Sequence, residues 1–380
     1  MDTGTAPLMH TPLASWHRAH GAKLVPFAGW EMPVLYTGVV EEHLAVRERV
    51  GLFDVSHMGR LAVRGPGAEA FLQGLLTNDL ARLRPGQGQY TLALNEAGGV
   101  RDDLIVFRLG DGFLVVMNAG NRGKILGHFR ERAVAGVELA DRSAELAMIA
   151  LQGRAAPGLL AAMAPATLGL PRFSIGEFLV AGETMLVSRT GYTGEDGFEL
   201  YPRAAGATAL WEALLAAGRD LPAVPCGLGA RDGLRLEAGY SLYGHEIDEE
   251  TSPWEAGLGW AVKPDKGNFI GRGALLELKA RGPRKRQVAF TCAGPGIPRQ
   301  GCTLAVGDQE VGSVVSGTFS PCLKLGIGIG YLRGPAGGVS PSGETPDAVL
   351  GVVIRGRQLP VSPQRLPFYR GTAASAGGVA

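Results

Sequence analysis

Hydrophobic positions change their period several times along this chain. Around residues 60–76 Leu61 and Val63 stand two positions apart, between Arg60 and Arg64. After Gly65-Pro66, Ala68, Leu72, Leu75 and Leu76 fall at helical spacing. That pattern predicts a strand running into a helix that starts near a proline. The same grammar returns at 146–163, where the apolar run Leu146–Leu151 leads through Gly153 to Ala156, Leu159, Leu160 and Met163. Gly65 and Gly153 stand 88 positions apart, a hint of two related α+β halves.

Between these segments, residues 90–94, 104–108 and 113–117 read as strands. Asn95-Glu96-Ala97-Gly98-Gly99 supplies the hairpin connection for the first pair. Further short strands are expected at 177–181, 185–189 and 197–201. A helix over 205–217 carries Leu210, Trp211, Leu214 and Leu215, and another over 231–238 ends at Gly239. Beyond Lys279 the texture changes. Residues 287–361 hold only short strands, at 287–292, 310–316, 326–331, 348–354 and 358–361, punctuated by Gly and Pro. This signals a small all-β barrel or sandwich. The stretch 280–284 marks the boundary, and Thr372 to Ala380 reads as a disordered tail.

Composition narrows the function classes. Of 380 residues, 46% are hydrophobic and 19% charged, values that fit a globular chain of two or three domains with a sizeable core. Lys and Arg number 37 against 36 Asp and Glu, so no global field favours a polyanion and a nucleic-acid partner is not expected. The densest basic run, Arg281, Arg284, Lys285 and Arg286, reads as a solvated linker. No window approaches the roughly 18 consecutive apolar residues of a membrane span, and no membrane partner is expected. The first residues lack the pattern of a signal peptide. Cys226, Cys292, Cys302 and Cys322 form no C-x-x-C pair, which fits reduced thiols and a cytoplasmic location better than disulfides or zinc.

Common catalytic motifs are missing. Gly227-Leu228-Gly229 precedes a helix, but the next glycine of a dinucleotide fingerprint comes one residue late, at Gly233. There is no phosphate-cradling loop, no nucleophile elbow and no zinc-protease helix, and His17 and His20 read as surface residues. What remains is carboxylates, tyrosines and one arginine in Gly-rich settings. Asp102 and Asp103 are adjacent on a strand, so only one of them faces a shared cavity. Glu199 is a carboxylate inside an otherwise apolar strand, after the block Gly191–Gly197. On their own these segments read equally as turn carboxylates, a hairpin loop and, at Arg231-Asp232, a salt-bridged helix cap.

Taken together they resemble the glycine cleavage T-protein (aminomethyltransferase) family, from about Thr11 to Tyr369. The blocks that carry the resemblance are Phe27-Ala28-Gly29-Trp30, Gly51–Met58, Asn95–Leu104, Gly191–Glu199, Cys226–Asp232, Leu234–Gly239 and Ser316–Pro321. The resemblance implies an α+β fold, a three-domain cloverleaf around a central folate-binding opening. Two interwoven α+β domains with ferredoxin-like elements would occupy residues 8–280 and an all-β barrel 284–370, with 371–380 a tail. It implies transfer of the aminomethyl carbon from the lipoyl group of the H-protein to tetrahydrofolate, with no metal and no flavin. Products are 5,10-methylenetetrahydrofolate, ammonia and dihydrolipoyl H-protein.

By the same resemblance Asp103 is the catalytic carboxylate and Asp102 is structural. Glu199 accepts the pterin's amino edge, as a carboxylate suits two adjacent donors. Met58, Tyr90, Asn118, Tyr192, Arg231, Tyr240, Tyr369 and Arg370 match positions that contact folate. Lys263, Lys266 and Arg284–Arg286 form a candidate docking face for an acidic carrier. Two alternatives share the scaffold. One is a folate-dependent demethylase. The other is a non-enzymatic folate-binding protein with the signature K-G-C-[FY]-x-G-Q-E, against which Lys266–Gly273 carries Asn268 for the cysteine and Arg272 for the glutamine.

Overall fold

A computed structural model describes residues 7–218, 222–334 and 349–375. The chain divides into two compact units. The first comprises Met1–Ala68, Leu83–Gly88 and Ile105–Asp232, and the second Glu69–Arg82, Gln89–Leu104 and Gly233–Ala380.

In the first unit a six-stranded sheet runs in the order Ile175–Val180, Glu183–Ser188, Gly197–Tyr201, Ile149–Gln152, Val50–Asp54, Ala223–Pro225. Side chains alternate across it. Ile149, Leu151, Val187, Phe198 and Leu200 pack with Leu159, Leu160, Leu210, Trp211 and Leu214 of the helices Ala156–Met163 and Ala207–Ala217. The alternate register, Ser188, Glu199 and Tyr201, therefore points away from that core. Three further strands of this unit lie side by side, Gly112–Met117 antiparallel to Gly59–Arg64, which also pairs with Glu138–Asp141. A small sheet joins Met9–His10, Trp30–Leu35 and Lys23–Phe27.

The expected repeat has a geometric basis. Gly65 and Gly153 each follow a strand and precede a helix, with φ of +96° and +131°. A Cβ at Gly65 would lie 2.2 Å from the Gly136 carbonyl oxygen, and one at Gly153 2.4 Å from that of Arg49. Both turns need glycine for backbone conformation and for space.

In the second unit residues 89–94 and 100–104, most of the strand Gly88–Leu94 and the first half of Val100–Leu109, are sheet neighbours. Their turn is closed by the Asn95 N–H on the Gly99 carbonyl and by the Gly99 N–H on Asn95 Oδ1. Leu92, Leu94 and Val100 share a core with Ile247, Val262, Phe269 and Leu275. Six strands form a closed barrel in the order Lys285–Cys292, Leu325–Arg333, Gln309–Ser320, Thr303–Val306, Leu350–Ile354, Arg357–Gln364. Phe290, Leu304, Val314, Val352 and Val361 fill it. The strand Thr303–Val306 is not foreseen in the sequence; four residues between Cys302 and Gly307 are too few to show a period.

Three expectations need correction or completion. His17 is fully buried rather than at the surface, bonded to Asp54 Oδ2 at 3.0 Å and to the Tyr36 hydroxyl at 2.8 Å. The basic run is not a free linker. The helix Arg272–Arg281 and the strand from Lys285 leave three residues between them, and Arg284 binds Glu255 while Lys285 donates to Thr251 Oγ1. Thr372–Ser375 make one helical turn, whereas 376–380, the rest of the expected tail, and Ala348 lie outside the described residues. No helix among the described residues is long and apolar enough to cross a membrane.

Candidate functional site

Glu199 is the most unusual side chain of the first unit. Its strand neighbours Phe198 and Leu200 go into the core, and Glu199 is paired in register with Ser188 and Ala150. It is only 6% exposed. Burial raises its pKa, while a hydrogen bond from Thr190 and the field of Arg231 pull the other way. Thr190 Oγ1 donates to Glu199 Oε2 at 2.5 Å. With that proton committed, Ser188 Oγ, 2.6 Å from Thr190 Oγ1, must donate to Thr190. The Tyr201 hydroxyl then donates onward to Ser188 at 3.4 Å. A relay of hydroxyls thus ends on one oxygen of the carboxylate.

Arg231 and Tyr192 flank this group. The Arg231 guanidinium carbon sits 4.8 Å from the centroid of the Tyr192 ring, a cation–π contact. Burial lowers the Arg231 pKa, opposed by Glu199 and Tyr192, and its Nη1 has no hydrogen-bond partner among the described residues. An arginine held against a ring with one donor unused has capacity for an acceptor that is not part of the protein.

The backbone around these residues is fixed from behind. The Arg47 guanidinium, buried with Glu195 at 2.9 Å, also donates to the Thr193 carbonyl at 2.8 Å and holds the Gly191–Asp196 loop. Gln152 accepts from Thr193 Oγ1 and donates to the Thr190 carbonyl. Met58 is placed in a similar way. Arg60, 0% exposed, directs its guanidinium at the carbonyls of Ser56, Met58, Ser143 and Leu146. Asn118 follows the strand Gly112–Met117 and starts the short turn Ala119–Asn121.

The second unit contributes a different carboxylate. Along Val100–Leu109 Asp102 is fully buried and Asp103 half-buried, as strand alternation requires. The Tyr90 hydroxyl donates to Asp103 Oδ2 at 3.2 Å. Tyr90 in turn stacks on Trp260, with centroids 5.3 Å apart and 28° between planes. Trp260 is 45% exposed. Tyr240 and Tyr369 are held near the end of the helix Leu228–Glu237. The Tyr240 N–H binds the Arg235 carbonyl and the Tyr369 N–H that of Glu237. Arg235 is itself locked by Glu246 and Ser316. Arg370 is exposed.

The structure thus brings together Glu199, Arg231 and Tyr192 in one unit, and Tyr90 and Asp103 in the other. Sequence reasoning missed Thr190, Ser188, Arg60 and Trp260. Only Thr190, next to the Gly191 block, carried a local signal. Of the basic candidate face, Lys266 is tied to Gln73, with its pKa pushed down to about 8 by burial, and Arg284 and Lys285 are engaged as above. That leaves Lys263 and Arg286 as its unengaged cations among the described residues.

Comparison with known proteins decides the family. The family model described as the GCVT N-terminal domain matches residues 13–266, and that of the glycine cleavage T-protein C-terminal barrel domain matches 285–370. The chain belongs to the glycine cleavage T-protein family. It is 51% identical to an aminomethyltransferase of Rubrobacter xylanophilus, over 96% of this chain and 95% of that one. It is 48% identical to one of Symbiobacterium thermophilum, over 96% and 98%. Among solved structures it resembles the glycine cleavage system aminomethyltransferase T of Bartonella henselae. The TM-score is 0.85 at 36% identity, covering 96% of this chain and 98% of that one. Like its relatives, this T-protein family member is a folate-dependent aminomethyltransferase, a transferase of glycine catabolism.

Proposed function

We infer that Glu199, Arg231 and Tyr192 hold the pteridine of tetrahydrofolate, and that Asp103 serves the transfer of the one-carbon unit. The donor is the aminomethyl-lipoyl arm of the H-protein. A pteridine presents its 2-amino group and N3–H side by side, and a carboxylate accepts both. The observation that carries the reading is Glu199 itself, a buried carboxylate that accepts from Thr190 on one of its oxygens. Taking a charge out of water is costly unless hydrogen bonds replace the hydration, and a donor–donor edge supplies them. Tyr192, Met58, Asn118, Tyr240, Tyr369 and Arg370 add contact surface and polar tips.

In the transfer the carbon's bonds to sulfur and to nitrogen break and two bonds to folate N5 and N10 form. The protons released from N5 and N10 go to the lipoyl sulfur and to the departing ammonia. Asp103, with its oxygen already oriented by Tyr90, can hold the attacking nitrogen, accept its proton and stabilise the cationic carbon. The free thiols Cys226, Cys292, Cys302 and Cys322 fit a cytoplasmic setting. The test is Asp103→Asn assayed with lipoylated H-protein. Folate binding should persist while ammonia release falls by two to four orders of magnitude. Near-normal turnover would overturn the assignment.

A further inference from the structure

Trp260 stands apart from the other tryptophans of the chain. Trp16, Trp30 and Trp211 are buried and Trp254 is half-buried, whereas Trp260 is 45% exposed. It is exposed but not loose. The short turn Gly259–Ala261 that carries it is held by Thr77, whose Oγ1 donates to the Ala261 carbonyl and whose own carbonyl accepts from the Lys263 N–H, each at 2.9 Å. The turn also lies against the Trp254 ring. A Cβ at Gly259 would stand 2.7 Å from a ring carbon, so a glycine is needed for this approach.

An aromatic ring kept in water by a rigid frame is a contact surface in waiting, since covering it gains apolar burial at little cost in side-chain freedom. The stack on Tyr90 shows which group it adjoins. The Tyr90 hydroxyl donates to Asp103 Oδ2, so a half-buried carboxylate, a half-buried phenol and an exposed indole form one series that ends in solvent. A substrate that reaches Asp103 from outside can pass along that series. Of the two substrates in the proposed function, folate has its grip at Glu199, and the lipoyl arm is the one delivered by a second protein. The end of that arm is an alkyl chain bearing sulfur, with no charge for an ion pair to hold. Such a chain is recognised by an aromatic face, through apolar burial and sulfur–ring contact.

We propose that Trp260 is a substrate-positioning residue of the transfer, its exposed indole receiving the sulfur-bearing end of the lipoyl arm so that the aminomethyl carbon reaches Asp103. This rests on the reading that Asp103 serves the transfer. No bond is made or broken at the indole. Its stack on Tyr90 fixes the plane against which the arm lies, and the Tyr90 hydroxyl ties that plane to the carboxylate. Phenylalanine in this place keeps an aromatic face, whereas leucine removes it.

The test uses the full-length chain with lipoylated H-protein and, beside it, dihydrolipoamide, which is the arm without its carrier. In Trp260→Leu the KM for aminomethyl-lipoyl H-protein and the inhibition constant of dihydrolipoamide should both rise about fivefold. Trp260→Phe should stay close to wild type, and the Kd for tetrahydrofolate should be unchanged in both variants. In the wild type, dihydrolipoamide should shield from acrylamide the tryptophan emission that Trp260→Phe lacks, a readout that does not depend on Trp260→Leu folding. If neither constant moves in folded Trp260→Leu, or that emission is not shielded, while Asp103→Asn loses turnover, the inference fails and the reading of Asp103 stands. If the KM for the carrier rises but the dihydrolipoamide constant does not, the indole meets the body of the carrier and the inference fails. A raised Kd for tetrahydrofolate would give the ring to folate and overturn the inference as well. If Asp103→Asn turns over normally, the reading falls and the inference with it.

Discussion

Two carboxylates of this chain are built in opposite ways. Glu199 is nearly inaccessible, fed by a line of hydroxyls from Tyr201 through Ser188 and Thr190, and burial raises its pKa. Asp103 is half-buried and takes one phenol, that of Tyr90, whose ring leans on an exposed tryptophan. Hydroxyls aimed at a buried oxygen make a rigid acceptor, suited to gripping a fixed edge. A more open carboxylate with a phenol at its side can exchange protons with a substrate that comes and goes. The contrast supports the proposed division, with binding at Glu199 and chemistry at Asp103.

The largest effects should fall where that division is sharpest. Asp103→Asn is expected to lose two to four orders of magnitude in turnover with folate affinity intact, read by single-turnover ammonia release beside calorimetry. Glu199→Gln should do the reverse. It weakens tetrahydrofolate binding by about 100-fold, the worth of two charge-assisted bonds, with a much smaller loss of turnover at saturating folate. The same variant should be more stable without folate. An acid whose pKa is higher in the folded state favours folding below its unfolded pKa, and that contribution is lost as pH rises through the folded value. Relative to wild type, Glu199→Gln should therefore gain thermal stability as pH rises above the ordinary carboxylate range. If both variants damaged binding and turnover alike, the division of labour would be wrong.

The legibility of this arrangement in the sequence was uneven for physical reasons. Glu199 stood out because a carboxylate in an apolar strand breaks the local pattern. The barrel was visible as a change of texture after Lys279, and strand alternation separated Asp102 from Asp103. Ser188 gave no such signal, since its place beside Glu199 depends on a strand register across the intervening loop. The Arg60 clamp on Ser143 and Leu146 spans more than 80 positions, and His17 meets Asp54 37 positions away. Long-range polar partners of this kind leave no period, so a buried histidine reads as a surface one.

Thr190 tests how far the hydroxyl relay matters. Thr190→Val keeps the shape and removes the donor on Glu199. The carboxylate loses a bond that pulls its pKa down, so its pKa should rise further. Folate affinity, which needs the ionised form, then falls by roughly three- to tenfold where the carboxylate is partly protonated and recovers as pH is raised. A binding profile whose midpoint does not move upward in the variant would detach the relay from recognition.

The smallest effect probes the open carboxylate from its exposed side. Trp260 touches Tyr90 by stacking, and such aromatic pairs contribute about 0.5–1.5 kcal/mol. Trp260→Leu should loosen the phenol and lower turnover about threefold. Tyr90→Phe, which keeps the ring and deletes the hydroxyl bonded to Asp103, should lower it about tenfold. The ordering matters more than either number. If the tryptophan acted only as packing, its loss would lower the unfolding temperature and leave the turnover of the folded enzyme unchanged. If Trp260→Leu instead raised the Kd for tetrahydrofolate without touching turnover, the surface beside Asp103 would belong to recognition, and the contrast between the two carboxylates would have to be redrawn.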